Sequence, residues 1–399
     1  MNIFNSLGSN YNLRFVFKAL FTRNKTHHFS ELNSYLENKY QGKAVLVYKG
    51  RKALELALRL LDLPKNSRVA INGLTCYAVY KGVVDSGHKV EYLDIDGQAL
   101  NFSPDELKAK LRKSSAIKVL LIQNTLGYPC DIKKIAKICK ENNIILIEDL
   151  AHSVGTVYKN NQEAGAFGDF VILSFSQDKM IDGISGGALI IKNKKYQNTS
   201  FIKLVKLPCK QQLIDKLYPF FTYIIRITYK IGVGKAIHAV LKKVNLLSRP
   251  MGNPKLQSTC RLPGWYCKLS HTRFTNLQNN LNHRKRIAHA YSKNINPKIL
   301  SKTLINNIPR STNLRFPVFV DNRAKLIKFL KKYKIYVSDI WYDAPIAPKK
   351  YTHLTDYQHQ CPVSEKISSQ ILNLPTHQGV AVKKAKKISE RINEWLKLQ

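Results

Sequence analysis

Three short apolar runs within fifty residues do most to limit what this chain can become. Residues 144–147, 170–173 and 188–191 read IILI, FVIL and ALII, rich in branched side chains and without a polar interruption. Runs of that length and composition suit strands buried on both faces, as in a sheet covered by helices on each side. Polar or glycine-rich residues follow the first two. The first run delivers Glu148, Asp149 and His152; the second delivers Ser174 and, five residues later, Lys179, followed by Gly183, Gly186 and Gly187. Chemistry is therefore expected at strand ends.

The same alternation continues upstream. AVLVY (44–48) leads into Gly50 and a helical run at 51–61, and RVAI (68–71) leads to Thr75. KVEYL (89–93) ends at Asp94, IKVLLIQ (117–123) ends at Asn124, and the helix-like DIKKIAKICKENN (131–143) returns to the first run. Strands alternating with helices argue for right-handed crossovers in a mainly parallel α/β sheet. Ligands then belong at the carboxyl ends of the strands.

A carboxylate, a lone lysine and a phosphate-sized serine/glycine turn suit pyridoxal phosphate. That cofactor needs an amine for its aldehyde, an acid for its ring nitrogen and donors for its phosphate. No metal or nucleotide motif accounts for all three.

Two strings carry a resemblance. Glu148-Asp149-Leu150-Ala151-His152 is similar to an E-D-x-A-Q segment, and Ser174-Phe175-Ser176-Gln177-Asp178-Lys179 to an S-F-x-x-x-K segment before a glycine-rich strand. The chain thereby resembles the DegT/DnrJ/EryC1/StrS sugar aminotransferases, a branch of the fold-type I pyridoxal phosphate enzymes, over most of 40–195 and 264–399. The resemblance implies a large domain with a mainly parallel sheet and a smaller C-terminal α/β domain. It also implies a homodimer with the active site at the interface, an amino donor that is usually glutamate, and a keto-sugar acceptor carried on a nucleotide or a lipid.

Residue by residue, the resemblance makes Lys179 the cofactor's anchor and general base and Asp149 the partner of its ring nitrogen. It puts His152 where a glutamine contacts the phenolic oxygen or ring face, and Ser174 at the phosphate. Gly50 matches the glycine of a Ser-Gly-Thr-x-Ala-Leu turn that binds phosphate through backbone amides, with Arg51 and Lys52 replacing small residues. Cys76 stands where an aromatic often covers the ring, a role left to Tyr77, to His152 or to no residue. Tyr266, in Gly264-Trp265-Tyr266-Cys267-Lys268, replaces an asparagine that reaches the neighbouring subunit's phosphate. The retained Lys179 sets the chain apart from the family's dehydratases, which carry histidine there. Surface polysaccharide biosynthesis is the implied setting. The alternatives are a non-catalytic binding or regulatory relative and a basic lipid- or nucleic-acid-binding protein on the same fold.

Composition divides the rest. The 399 residues suit a large and a small domain, with expected divisions at 1–40, 41–195, 196–263 and 264–399. Sixty-five Lys and Arg against 26 Asp and Glu give a formal charge of +39, which attracts anions without naming them and specifies no nucleic acid. Seven cysteines without a C-x-x-C or zinc-like spacing suit a reducing compartment, and no secretory signal or metal site is expected. A cytoplasmic enzyme, with peripheral contact at the inner face of a membrane, is the resulting expectation. LRFVFKALF (13–21) reads as a basic amphipathic helix whose apolar stripe packs on the protein body, with membrane docking as the alternative. Residues 201–300 hold 19 basic residues and one acid, Asp215, around the apolar run 217–225, which is too short to span a bilayer. That combination suits an interfacial anchor or an interface-covering helix. His377, in the C-terminal L-N-L-P-T-H string, is expected to support its loop.

Overall fold

The computed structural model describes residues 2–64, 66–200, 202–248 and 258–399. Seven strands form the central sheet: β1 (Lys43–Val47), β2 (Arg68–Asn72), β3 (Lys89–Leu93), β4 (Ile117–Ile122), β5 (Ile145–Asp149), β6 (Phe170–Ser174) and β7 (Gly187–Ile191). Their order is β1-β7-β6-β5-β4-β2-β3. Strands β6, β5, β4, β2 and β3 pair in parallel, and β7 runs against both of its neighbours. The three opening runs are adjacent strands, and each buries both faces. Leu146, Val171, Leu173 and Ile190 enter one apolar core, whereas Ile147, Phe170, Ile172 and Ile191 enter the other. Double-sided burial is why these runs show no polar alternation.

Six helices surround the site or build the basic insert: α1 (Leu13–Phe21), α2 (Gly50–Leu60), α3 (Cys209–Thr228), α4 (Val233–Lys243), α5 (Gly264–Thr275) and α6 (Leu277–Asn294). Helix α1 is capped by Asn12, whose side chain accepts from the Phe15 amide at 2.9 Å. Its apolar stripe is split. Phe15, Val16 and Ala19 face the core, but Leu13, Phe17 and Phe21 are 49, 53 and 73% exposed. The expectation that this stripe lies wholly on the body is corrected accordingly.

The basic insert folds as α3 and α4. Helix α3 contains Pro219 and buries Asp215, Tyr218, Thr222 and Ile225. No helix among the described residues is long and apolar enough to cross a membrane. Arg249 and Lys255, two of the 19 basic residues counted from the sequence, lie outside the described residues.

In the C-terminal region β8 (Arg315–Phe319) pairs antiparallel with β9 (Ile371–Pro375). Within residues 331–343 only Ile335–Tyr336 forms a strand, and it pairs in parallel with Ile3–Phe4. Beyond it the backbone serves side chains instead of a ladder: the Asp339 carbonyl accepts from Asn5 Nδ2 and Arg315 Nη1. Trp341 and Tyr342 are thereby turned toward the ends of β4 and β5.

Candidate active site

Adjacent residues in a strand point to opposite faces, and Glu148 and Asp149 at the end of β5 have opposite fates. Glu148 is fully buried in a cage of donors. Its oxygens accept from the amides of Phe167 and Gly168 at 2.7 Å and from the Gly165 amide and Tyr158 hydroxyl at 2.8 Å. This carboxylate organises the loop between β5 and β6. Glu148→Ala is expected to lower stability by about 3 kcal/mol or more, because buried amides lose their acceptor. A chemical denaturation midpoint equal to that of the parent protein would contradict this assignment.

Asp149 is 6% exposed, and its Oδ1 accepts from the Ala151 amide at 2.9 Å. Burial raises its pKa to about 6, opposed by the Ala151 hydrogen bond and by the charge of Lys179.

Lys179 follows β6 on a loop in which Asp178 takes a left-handed φ of 63°. Its Nζ lies 2.9 Å from His152 Nε2 and 4.5 Å from the centroid of Trp341. The His152 ring stacks on Trp341 with centroids 5.1 Å apart. Its Nδ1 accepts from the Leu126 amide at 3.3 Å and lies 3.1 Å from the Tyr342 hydroxyl. Burial lowers the His152 pKa well below its usual value, with Lys179 and Arg315 adding to the effect, so the ring is neutral. Because the Leu126 amide takes the Nδ1 lone pair, the ring hydrogen sits on Nε2 and points at Lys179. The amine must then accept that hydrogen. Burial lowers the Lys179 pKa in the same sense. A neutral primary amine is the form that attacks a carbonyl.

The loop bearing Lys179 is fixed from three sides. Asp182 accepts from the Tyr11 hydroxyl at 2.6 Å and from Asn10 Nδ2 at 3.0 Å, and its carbonyl accepts from Arg273 Nε at 3.1 Å. Gly183 leaves no room for a side chain, since a Cβ there would collide with Ser270 Oγ on α5.

The end suited to a phosphate lies where α2 meets β6 and β7. Helix α2 starts at Gly50 with no side-chain cap and no acid in its first turn. A Cβ on Gly50 would fall 3.0 Å from Ser174 Cβ, and one on Gly187 would fall 2.7 Å from the Gly50 α-carbon. Glycine is required at both because backbone and serine converge there. Arg51 follows, partly buried and within electrostatic reach of Cys76 and Asp85. Beside them buried Lys49 donates to Ser185 Oγ at 2.8 Å, and burial lowers its pKa to about 8.

Two expected contacts are arranged differently. Cys76 is the N-cap of the helix Tyr77–Asp85, with the Ala78 amide 3.5 Å from its sulfur, and Tyr77 stacks on Tyr351 and Tyr80. The aromatic ring beside Lys179 is Trp341, which sequence reasoning missed. Tyr266 is fully enclosed by its own chain, and its hydroxyl donates to Asp215 Oδ2 at 2.8 Å. The Tyr48 hydroxyl donates to the same oxygen at 2.6 Å, so Asp215 ties α3 to the turn preceding α2. His377 supports its loop as expected: Nε2 donates to the Phe4 carbonyl at 2.8 Å, and Nδ1 accepts from the Gly379 amide at 3.1 Å.

A buried carboxylate, a buried lysine amine whose pKa burial lowers and an uncapped helix start beside a serine are the groups a pyridoxal phosphate requires, and the donor set fits that cofactor. Residues 20–393 match the model of the DegT/DnrJ/EryC1/StrS aminotransferase family. The chain belongs to that family. Its cofactor is the family's, pyridoxal 5'-phosphate. Among curated relatives, the GDP-perosamine synthase of Vibrio cholerae is 31% identical over 37% of this chain and 39% of its own length. The chain thus matches about two fifths of the length of that relative. The dTDP-3-amino-3,6-dideoxy-alpha-D-galactopyranose transaminase of Aneurinibacillus thermoaerophilus is 24% identical over 91% of this chain and 87% of its own. In fold, the chain superimposes on PseC of Helicobacter pylori, an aminotransferase involved in the biosynthesis of pseudoaminic acid, with a TM-score of 0.73 at 14% identity over 100% of both chains. The fold-type I architecture expected from the sequence is the observed one.

Proposed function

We propose that this protein is a transaminase that moves an amino group, from glutamate, to a keto-sugar carried on a nucleotide or lipid, in surface polysaccharide biosynthesis. The observation that carries the reading is the buried Lys179 amine 2.9 Å from His152 Nε2, at the same strand ends as Asp149. When bound, the cofactor supplies an electron sink for the pair released at the donor's α-carbon. In this reading Asp149 holds the proton on the ring nitrogen, and the Lys179 Nζ takes the proton from the donor's α-carbon and later returns one to the acceptor. His152 and Trp341 keep the amine in place and exclude water from it. Ser174, the amides at Gly50 and Arg51, and the Arg51 cation bind the phosphate. Cys76 and Tyr266 border the site, Tyr266 by way of Asp215. The enzyme works as a homodimer in the cytoplasm, including at the inner face of the membrane. The sugar relatives support the acceptor class, and the retained lysine, acid and serine support catalysis over a purely binding role.

An absorbance spectrum of the purified protein, recorded before and after glutamate, tests this. The expected result is a cofactor band that shifts on addition of the donor and is restored by a nucleotide-linked keto-sugar. A cofactor band indifferent to glutamate and to other amino acids would reject the transaminase reading.

A further inference from the structure

Among the described residues, large exposed apolar side chains gather on α1, α3 and α4. Each of three packed helices carries one exposed apolar line at helical spacing. On α1 it is Leu13, Phe17 and Phe21; on α3, Leu213, Phe220 and Ile227; on α4, Val233 and Val240, continued by Val244. Their exposures run from 40 to 73%, and Ile231, between α3 and α4, is 73% exposed. Soluble surfaces seldom gather so many large apolar side chains on neighbouring elements, and such gatherings mark interaction sites.

The charges around these lines choose the partner. Arg14, Arg23, Lys230, Lys235, Lys242 and Lys243 are exposed among them. No acid precedes Glu31, and between Asp182 and Asp321 the only acid is Asp215. Asp215 is fully buried and holds Tyr48 and Tyr266. The three helices therefore present apolar and basic side chains without one exposed carboxylate. A second copy docked by this face would set like charges against like. A surface of anionic headgroups neutralises the lysines and accepts the apolar side chains between them.

We propose that α1, α3 and α4 together form a docking face for an anionic lipid bilayer, on which the enzyme lies without spanning it. This deepens the membrane-face part of the proposed function and is separable from its chemistry, because vesicle binding needs neither donor nor acceptor. The test is flotation of the full-length holoenzyme with vesicles of phosphatidylglycerol and phosphatidylcholine, against vesicles of phosphatidylcholine alone. Binding to the anionic vesicles is expected at low salt and should fall at least tenfold in about 0.5 M salt, where charges are screened within a few ångströms. Lys235→Glu with Lys242→Glu should weaken binding by about fivefold or more per residue. Phe17→Ser with Ile227→Ser should abolish binding while leaving the thermal midpoint and turnover unchanged, since both side chains are exposed. Absence of flotation at low salt would overturn the proposal, as would charge variants that bind normally. Conversion of a dimer to a monomer by the serine variants, read by light scattering without vesicles, would assign the face to a second copy instead.

Discussion

Replacing Lys179 with alanine is expected to abolish turnover and to leave no cofactor on the protein after borohydride treatment. Among the described residues, this amine is the only side-chain nitrogen within hydrogen-bonding distance of His152 Nε2, and it lies over the Trp341 face. Loss of both the covalent anchor and the base that moves the α-proton should cost on the order of 10⁴-fold in rate, about 5 kcal/mol in barrier. Lys179→Arg should fail equally, because a guanidinium stays charged and cannot condense with the aldehyde. Neither change should unfold the protein. Removing the amine leaves one imidazole N–H without its acceptor, a loss of about 1–3 kcal/mol. Borohydride reduction followed by mass measurement of the protein gives the answer: a cofactor adduct that survives in Lys179→Ala means another amine is the anchor.

The parts of this site that were legible in the sequence are those carried by one continuous stretch. Asp149, His152, Ser174 and Lys179 fall within 31 residues, and the apolar runs before them announce their strands because both faces are buried. The partners of those residues come from far along the chain and leave no periodic trace. Trp341 and Tyr342 reach His152 from about 190 residues away, through a segment in which side chains, not a strand ladder, take the Asp339 carbonyl. An aromatic pair followed by Asp343, Ala344 and Pro345 was a signal of a turn, not of a strand interior.

Asp215 was visible in a different way. A single acid in a hundred residues of basic sequence has to be held by something, and here it is held by two tyrosine hydroxyls and by Gln211. Its burial also explains why Tyr266 lies within its own chain. The split stripe of α1 could not be resolved from periodicity alone, because Leu13, Phe17 and Phe21 recur at the same helical period as the residues that face the core.

Asp149→Asn tests the electronic half of the site. The amide keeps the shape and one acceptor oxygen but carries no charge to hold a proton on the ring nitrogen, so the electron demand on the donor's α-carbon falls. Turnover is expected to drop by roughly 10³-fold, about 4 kcal/mol, with cofactor still bound through Lys179 and the phosphate contacts. A pH profile separates this from a loss of structure. Burial lifts Asp149 to about 6, so the carboxylate is charged above that pH and neutral below it. Cofactor affinity of the cofactor-free parent protein should therefore weaken as pH falls through about 6. In Asp149→Asn this dependence should vanish, leaving the weaker affinity at every pH, while the thermal midpoint stays near that of the parent protein. A variant that keeps the parent's half-reaction rate with glutamate, or its pH dependence of cofactor binding, would place the ring-nitrogen partner elsewhere.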